Sequence, residues 1–342
     1  MTRSNSKRLT LFAALVAVTM AMGPIYALIF LPKFTLDALA PVTLDGLIGG
    51  VLLWGGLLYL WPSKICAPLR RLAFPWHILF LLVLVAIIIP MTGWIDNLVL
   101  TGTFAVDFGF RPRGSLYLFV LAITTFLLII MQISKVIGPR ILVNLLIGRY
   151  HNPVEEKRIF LFVDLIGSTA LASQHGDLGL QRLLTRFFFD LGRPVAEHGG
   201  EIHAYIGDEV IITWPYNTGA ERARCVRCFF AVQSVLRGHA EVYDKMFGVR
   251  PRIRAGLHGG SVIVSECGDT KKSIVYFGDT MNTAARLEGE AKRTDEELIV
   301  SEQLLRDITL PDGIVAKAMG DVTLRGHDSS TGVFALSKAD AV

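Results

Sequence analysis

The chain has 342 residues, a formal net charge of +4 and 52% hydrophobic residues, with a mean hydropathy of +0.48. That length allows two domains, and that hydropathy excludes a disordered chain and exceeds what an ordinary soluble domain needs. The basic surplus lies in the apolar part: residues 1–135 carry ten Lys/Arg against four Asp/Glu, whereas residues 136–342 carry 24 against 26. A nucleic-acid partner is therefore not expected, because the polar part has no basic excess with which to meet phosphates.

Residues 1–135 read as a membrane domain. Four segments have the roughly 20 apolar residues a bilayer crossing needs, at about 9–31, 42–61, 76–95 and 116–134. The first is too long for a secretory h-region, and three more follow it. Pro24 lies inside it, at a place where neighbouring helices tolerate a kink. Arg3, Lys7 and Arg8 precede the first span, Lys64, Arg70 and Arg71 lie between the second and third, and Lys135 and Arg140 follow the fourth. The positive-inside rule then puts both termini in the cytoplasm and makes the chain a multi-pass protein of the inner or plasma membrane. The segment 97–114 alternates loosely over 101–111. It reads either as a loop packed on helix ends or as a sensing surface for an unknown ligand. His77 is the one histidine within a span, so a haem held by paired histidines is not expected.

Residues 136–155 form a linker. Pro139 suits a first helical turn, and Ile141, Leu142, Leu145 and Leu146 recur at helical spacing. This predicts a short amphipathic helix that joins, and transmits between, the two parts.

From 156 to 342 strand and helix patterns alternate, which predicts an α+β domain with a mixed sheet. Strands are expected over 159–164, 201–206, 209–214, 252–260, 273–277 and 297–300, with two more in the tail. Helices are expected over 178–198, 220–236 and 279–290. Cys225 and Cys228 sit three apart inside the second of these helices and read as core residues, not as a redox or metal motif. With Cys66 and Cys267 also isolated, no disulfide framework is expected, as suits a reducing compartment.

The chemistry concentrates in two places. In FLFVDLIGST (160–169) an apolar strand delivers Asp164, and Gly167-Ser168-Thr169 opens the next element. A carboxylate there can hold a cation that bridges phosphates, and free N–H groups at a helix start bind phosphate. A second aspartate, Asp208, sits at the tip of the hairpin 201–214. Two carboxylates on neighbouring strands can hold two divalent ions about 3.5–4 Å apart, the arrangement that stabilises attacking and leaving oxygens in phosphoryl transfer.

Four motifs, FVDLIGST (162–169), GEIHAYIGD (200–208), RIRAGLHGG (252–260) and FGDTMNTAARLE (277–288), occur in this order. Together they resemble the catalytic domain of class III nucleotidyl cyclases, over residues 156–338, joined here to a membrane domain as in membrane-anchored bacterial members. The resemblance implies attack of the ribose 3′-hydroxyl on the α-phosphate of ATP, giving 3′,5′-cyclic AMP and pyrophosphate. It assigns two Mg²⁺ or Mn²⁺ ions to Asp164 and Asp208 with the backbone carbonyl of Leu165. It assigns the phosphate cradle to the N–H groups of Ile166, Gly167, Ser168 and Thr169. Asn282 would orient the ribose and Arg286 would stabilise charge on the α-phosphate, a type of contact worth about 10²–10³ in rate. Arg254 and Arg325 are candidates for the pyrophosphate, with a plain salt bridge as the competing reading. The resemblance also implies a homodimer, in which one copy supplies the aspartates and the other supplies Asn282 and Arg286.

Two positions depart from the family pattern. Where the family reads the purine, this chain has Ala204 and Val275, and neither side chain can hydrogen-bond a base edge. Three explanations stand: a rearranged pocket with His203, Lys271 or Lys272 as donor; backbone reading with loose selectivity; or an inactive regulatory domain. Adenylyl cyclase is the expectation, with a guanylyl or mixed cyclase and a regulatory nucleotide-binding module as alternatives. A small transporter carrying a nucleotide-binding appendage is disfavoured, since the spans show no visible repeat.

Overall fold

The computed structural model describes residues 3–30, 39–60, 66, 74–101, 110–270, 272–323 and 330–339. The chain divides into two compact units, Met1–Pro139 and Arg140–Val342.

The first unit is helical: α1 Arg3–Phe30, α2 Leu39–Gly55, α3 Phe74–Thr101 and α4 Phe110–Ile137, with α2 continued by a π-helical turn over Gly56–Leu60. A small core of Leu15, Val16, Leu53, Trp54, Val85, Ile88 and Leu128 joins the four. The α1–α2 contact is tight. A Cβ added at Gly46 or Gly50 would fall within 2.4 Å of Thr19 atoms, so the two helices meet through small residues. Many large apolar side chains point outward instead, among them Leu28, Ile29, Ile87, Leu118 and Phe126. Helices that are apolar on all sides need an apolar surrounding. Among the described residues, Arg8–Tyr26 and Thr43–Leu60 are long and apolar enough to cross a membrane by length and composition, and Leu118–Ser134 is a shorter apolar helix. The alternating stretch at 101–111 mostly falls outside the described residues; α3 reaches Thr101 and α4 begins at Phe110, so its described ends are helical.

Helix α5, Pro139–Leu146, begins at the proline that the sequence places in a first turn, and from Arg140 on it belongs to the second unit. Its buried Asn144 donates to the hydroxyl of Tyr150 (3.0 Å), which donates to Glu156 (3.1 Å). The strands are β1 Val154–Leu165, β2 Glu201–Ile206, β3 Glu209–Pro215, β4 Ile253–Cys267, β5 Ser273–Phe277, β6 Leu298–Ser301, β7 Ile314–Thr323 and β8 Ser330–Lys338. They form one sheet in the order β2-β3-β1-β4-β6-β8-β7, with β5 paired to β4 beyond the main row. Only the β4–β6 pairing is parallel among these, so the sheet is mixed.

The long helices are α6 Ser168–Glu197, α8 Arg224–Gly238 and α10 Asp279–Thr294; the short ones are α7 Tyr216–Ala220, α9 Ala240–Phe247 and α11 Glu302–Arg306. One face of β1 (Ile159, Leu161, Val163, Leu165) packs with Phe187 and Leu191 of α6 and Phe229 of α8. The other face (Phe160, Phe162) packs with Ile211, Val262, Tyr276 and Ala284 of α10. Alternation along a strand sends successive side chains to opposite faces, so β1 is apolar almost throughout because both faces are covered.

Three expectations about helices need correction. The helix expected over 178–198 begins ten residues earlier, at Ser168, and breaks at Gly176 (φ 69°, ψ 169°), a conformation that glycine adopts readily. The helix expected over 220–236 begins at Arg224 as α8; Ala220 ends the short α7, and between them Glu221–Ala223 form a 3-10 turn in which Arg222 and Ala223 have φ of 53° and 47°. Helices α9 and α11 were not anticipated, because pieces this short carry little periodic signal.

Candidate active site

Asp164 closes the row Arg158–Phe160–Phe162–Asp164 on the α10 face of β1, one residue before the strand ends. Asp208 sits in the two-residue turn between β2 and β3, where Gly207 takes φ 63°. The hairpin sets Asp208 beside Asp164, near enough for its charge to act on that carboxyl. Burial, then the neighbouring charge of Asp208, pushes Asp164 up to about 6. Glu209 is pushed up to about 7 by burial and by Glu288, Asp164 and Asp208, and burial also raises Glu288. Four carboxyls thus crowd one corner of the sheet.

Opposing them is Arg254. It is the cross-strand partner of Asp164 on β4, and its Nε lies 3.5 Å from Asp164 Oδ2. The Arg254 side chain is buried, and its Nε makes no hydrogen bond among the described residues. The salt-bridge reading of Arg254 is therefore what the structure presents.

The residues fit a divalent cation. Like charges held this close in a half-buried corner favour a counter-ion. Among the described residues no group of three or more His, Cys, Asp or Glu side chains has metal-site geometry. Two carboxylates completed by carbonyl, water and substrate oxygens is how Mg²⁺ is commonly held, so the pair suits that ion and not a closed protein cage.

The residues expected to cradle phosphate follow directly on the end of β1. Gly167 takes φ 83° and leads directly into α6, so Ser168 and Thr169 begin a helix whose first N–H groups have no intrahelical partners. Ile166 differs from expectation: its N–H donates to the carbonyl of Arg252 (2.9 Å), which continues the β1–β4 ladder and removes it from the cradle. Leu165 is the last residue of β1, paired with Ile253.

Asn282 and Arg286 lie on α10. Thr280, Thr283, Ala284, Leu287 and Ala291 of that helix are buried, whereas Asn282 is exposed and Arg286 is 31% exposed in its side chain. Four residues apart, the two share one face. The helix crosses β4 at Gly256, where an added Cβ would come within 2.2 Å of Glu288 N and 2.3 Å of Ala284 O. Thr280 Oγ1 donates to Ser261 O (2.6 Å) at its start. Arg286 Nη1 stands 3.9 Å from Asp279 Oδ1, and Thr283 Oγ1 donates to Asp279 Oδ2 (3.1 Å), so the aspartate that opens the helix also faces the arginine.

The two positions expected to read the purine are not gathered on one face. Ala204 packs in the cluster of Phe160, Phe162, Tyr276, Met281 and Ala285. Val275 is paired with Ser265, and alternation turns it away from the face that Ile274 and Tyr276 share with Ala204. Lys272 is held by Glu266 (2.7 Å), and Lys271 and Arg325 lie outside the described residues.

Sequence reasoning gave no role to Glu209, Glu288 or Asp279. All three stand inside or beside the quoted motifs, but only the fold shows that Glu288, 124 positions after Asp164, shares its corner. Cys225 and Cys228 are fully buried in α8, and burial pushes both thiols up, Cys225 to about 12, as suits core residues.

Residues 151–337 match the family model described as "Adenylate and Guanylate cyclase catalytic domain". The chain is 37% identical over 226 residues to Adenylate cyclase 2 of Rhizobium meliloti (strain 1021), an alignment covering 66% of this chain and 62% of that one. It is 29% identical over 175 residues to the receptor-type guanylate cyclase gcy-23 of Caenorhabditis elegans, covering 48% and 16%. The chain therefore spans less than two thirds of the length of either relative. Among solved structures, a bacterial light-regulated adenylyl cyclase is similar in fold, with a TM-score of 0.54 at 19% identity over 69% of this chain and 66% of that one. The paired aspartates on their strand end and hairpin turn, under a helix bearing Asn282 and Arg286, thus sit within a matched domain that covers more than half of the chain, and the protein belongs to the adenylate and guanylate cyclase catalytic domain family.

Proposed function

We propose that this protein is a membrane-anchored adenylyl cyclase that converts ATP to 3′,5′-cyclic AMP and pyrophosphate at the interface of a homodimer. The observation that carries the reading is the placement of Asp164 at the end of β1 and Asp208 at the β2–β3 hairpin tip, beside the Gly167–Thr169 turn that opens α6. The 37% identity to a relative named as an adenylate cyclase favours ATP over GTP.

Asp164 and Asp208 would hold two divalent cations, with the Leu165 carbonyl as a further ligand. When bound, the cations acidify the ribose 3′-hydroxyl and neutralise the triphosphate. The N–H groups of Gly167, Ser168 and Thr169 receive phosphate oxygens at the start of α6. Asn282 holds the ribose, and Arg286 donates to the α-phosphate as charge builds there. Metal aspartates from one copy and Asn282 with Arg286 from the other complete each site, so two equivalent sites form per dimer. The outward apolar side chains of the first unit support a multi-pass membrane anchor, with the N-terminus and the catalytic domain in the cytoplasm. The unit aligns two copies, and it is also where a ligand of the membrane domain acts if there is one.

A second reading, a guanylyl or mixed cyclase, is kept because Ala204 and Val275 offer the base no side-chain hydrogen bond that would select either purine. The test is cyclic nucleotide formation by purified full-length protein with Mn²⁺, offering ATP and GTP separately. Cyclic AMP alone supports the first reading, and cyclic GMP or both products the second. Nucleotide binding without product overturns both in favour of a regulatory module.

A further inference from the structure

We propose that His203 makes the hydrogen bond to the purine edge that Ala204 and Val275 cannot make. This rests on the cyclase reading for the location of the base, but the argument for the residue is geometric.

The β2–β3 pairing runs Ile202 opposite Ile212 and then Ala204 opposite Ile211, which leaves His203 as an extra residue in a β-bulge. A bulge re-aims side chains. Without it, Ala204 would share the face of Ile202, since alternate residues point the same way. Instead Ile202 packs on the α6 side, while Ala204 packs with Tyr276, Met281 and Ala285 on the α10 side. His203 lies on that same side: its ring meets Tyr276 edge to face, with centroids 4.8 Å apart. Ala204 has only a methyl side chain there, and Met281 and Ala285 of the same cluster directly precede Asn282 and Arg286 along α10.

Tyr276 is itself held, by Phe160 on one side (5.3 Å between centroids) and by the Arg158 guanidinium over its ring (5.0 Å). Arg158 is fixed by Thr213, Glu156 and Glu201. The wall that carries His203 is therefore rigid. No hydrogen bond or ion pair among the described residues engages either ring nitrogen of His203. Burial and then the Arg158 charge lower its pKa, which favours the neutral imidazole. A neutral imidazole has one N–H donor and one acceptor nitrogen. The acceptor takes the exocyclic amino group of adenine, or in the other tautomer the N–H meets O6 of guanine. Of the alternative donors, Lys272 is bound to Glu266.

The test uses full-length protein with Mn²⁺ and titrates 3′-deoxy-ATP and 3′-deoxy-GTP, which lack the attacking hydroxyl. Variants are His203→Phe, which keeps ring packing and removes both nitrogens, and His203→Gln, which keeps a donor and an acceptor. The expected result is roughly a 10-fold weaker affinity in His203→Phe for whichever analogue binds, recovered largely in His203→Gln. Equal affinity in wild type and His203→Phe overturns the proposal. So does His203→Gln binding as weakly as His203→Phe, which would mean that the ring only packs. Wild-type product formation from ATP and GTP is measured alongside. Its absence with binding retained and histidine-dependent defeats the cyclase reading and leaves the base contact standing. Failure of the wild type to bind either analogue overturns both.

Discussion

Asp164 on β1 and Arg254 on β4 are cross-strand partners, with Arg254 Nε 3.5 Å from Asp164 Oδ2. The arginine lowers the Asp164 pKa, yet burial and Asp208 outweigh it, and the group stands at about 6. Arg254→Met is therefore expected to raise Asp164 further. In an activity profile against pH, the acidic limb moves to higher pH; an unmoved limb would show that Arg254 does not face the aspartate in solution.

The raised pKa of Asp164 also sets a sign for stability. A carboxyl whose folded pKa lies above its unfolded value favours folding while protonated, and loses that contribution as pH rises through the folded pKa. Metal-free wild type is thus expected to lose ground against Asp164→Asn between about pH 4 and 6. The gap is fully open once pH exceeds the folded value of about 6. Urea unfolding of both proteins in chelator across this range measures it, and added Mn²⁺ closes the gap for wild type alone.

Asp164→Ala and Arg286→Ala are each expected to be inactive. Co-expressed or mixed under conditions that exchange subunits, they regain part of wild-type turnover, because one site of the mixed dimer keeps every group. A quarter of the wild-type rate is an upper figure on the order of what random pairing of two sites allows. No recovery despite demonstrated exchange rules out the shared site.

Gly256 lets α10 lie against β4, with Ala284 O and Glu288 N inside the space that a Cβ would fill. Both obstacles are backbone atoms, so neither can swing aside. Gly256→Ala is expected to cost about 1–3 kcal/mol in denaturant unfolding. It also displaces Asn282 and Arg286, so turnover falls even at a temperature where the variant stays folded.

Much of the catalytic unit was legible because local patterns carry it. Apolar 160–163 before Asp164 is a strand because both of its faces are covered. The dipeptide Gly207-Asp208 is a hairpin tip because glycine accepts the positive φ found there. The eightfold strand pattern and the position of α10 follow from the same periodicities. The helix break at Gly176 and the α7–α8 joint at Arg222 and Ala223 were not legible, since each interrupts an otherwise helical composition through backbone conformation alone.

By itself, the sequence determined the strand that delivers Asp164, the tip that delivers Asp208 and the helical spacing that puts Asn282 and Arg286 on one face, all properties set by residues a few positions apart. Only the tertiary structure decided that Glu209, Glu288 and Arg254 join the aspartate corner, that the Ile166 N–H is consumed by the β1–β4 ladder, and that a bulge turns Ala204 and His203 toward Tyr276 while Val275 faces away. The reason is physical. Register between strands and the approach of a helix to a sheet depend on long-range packing, and a single extra residue in one strand changes which face every later side chain occupies.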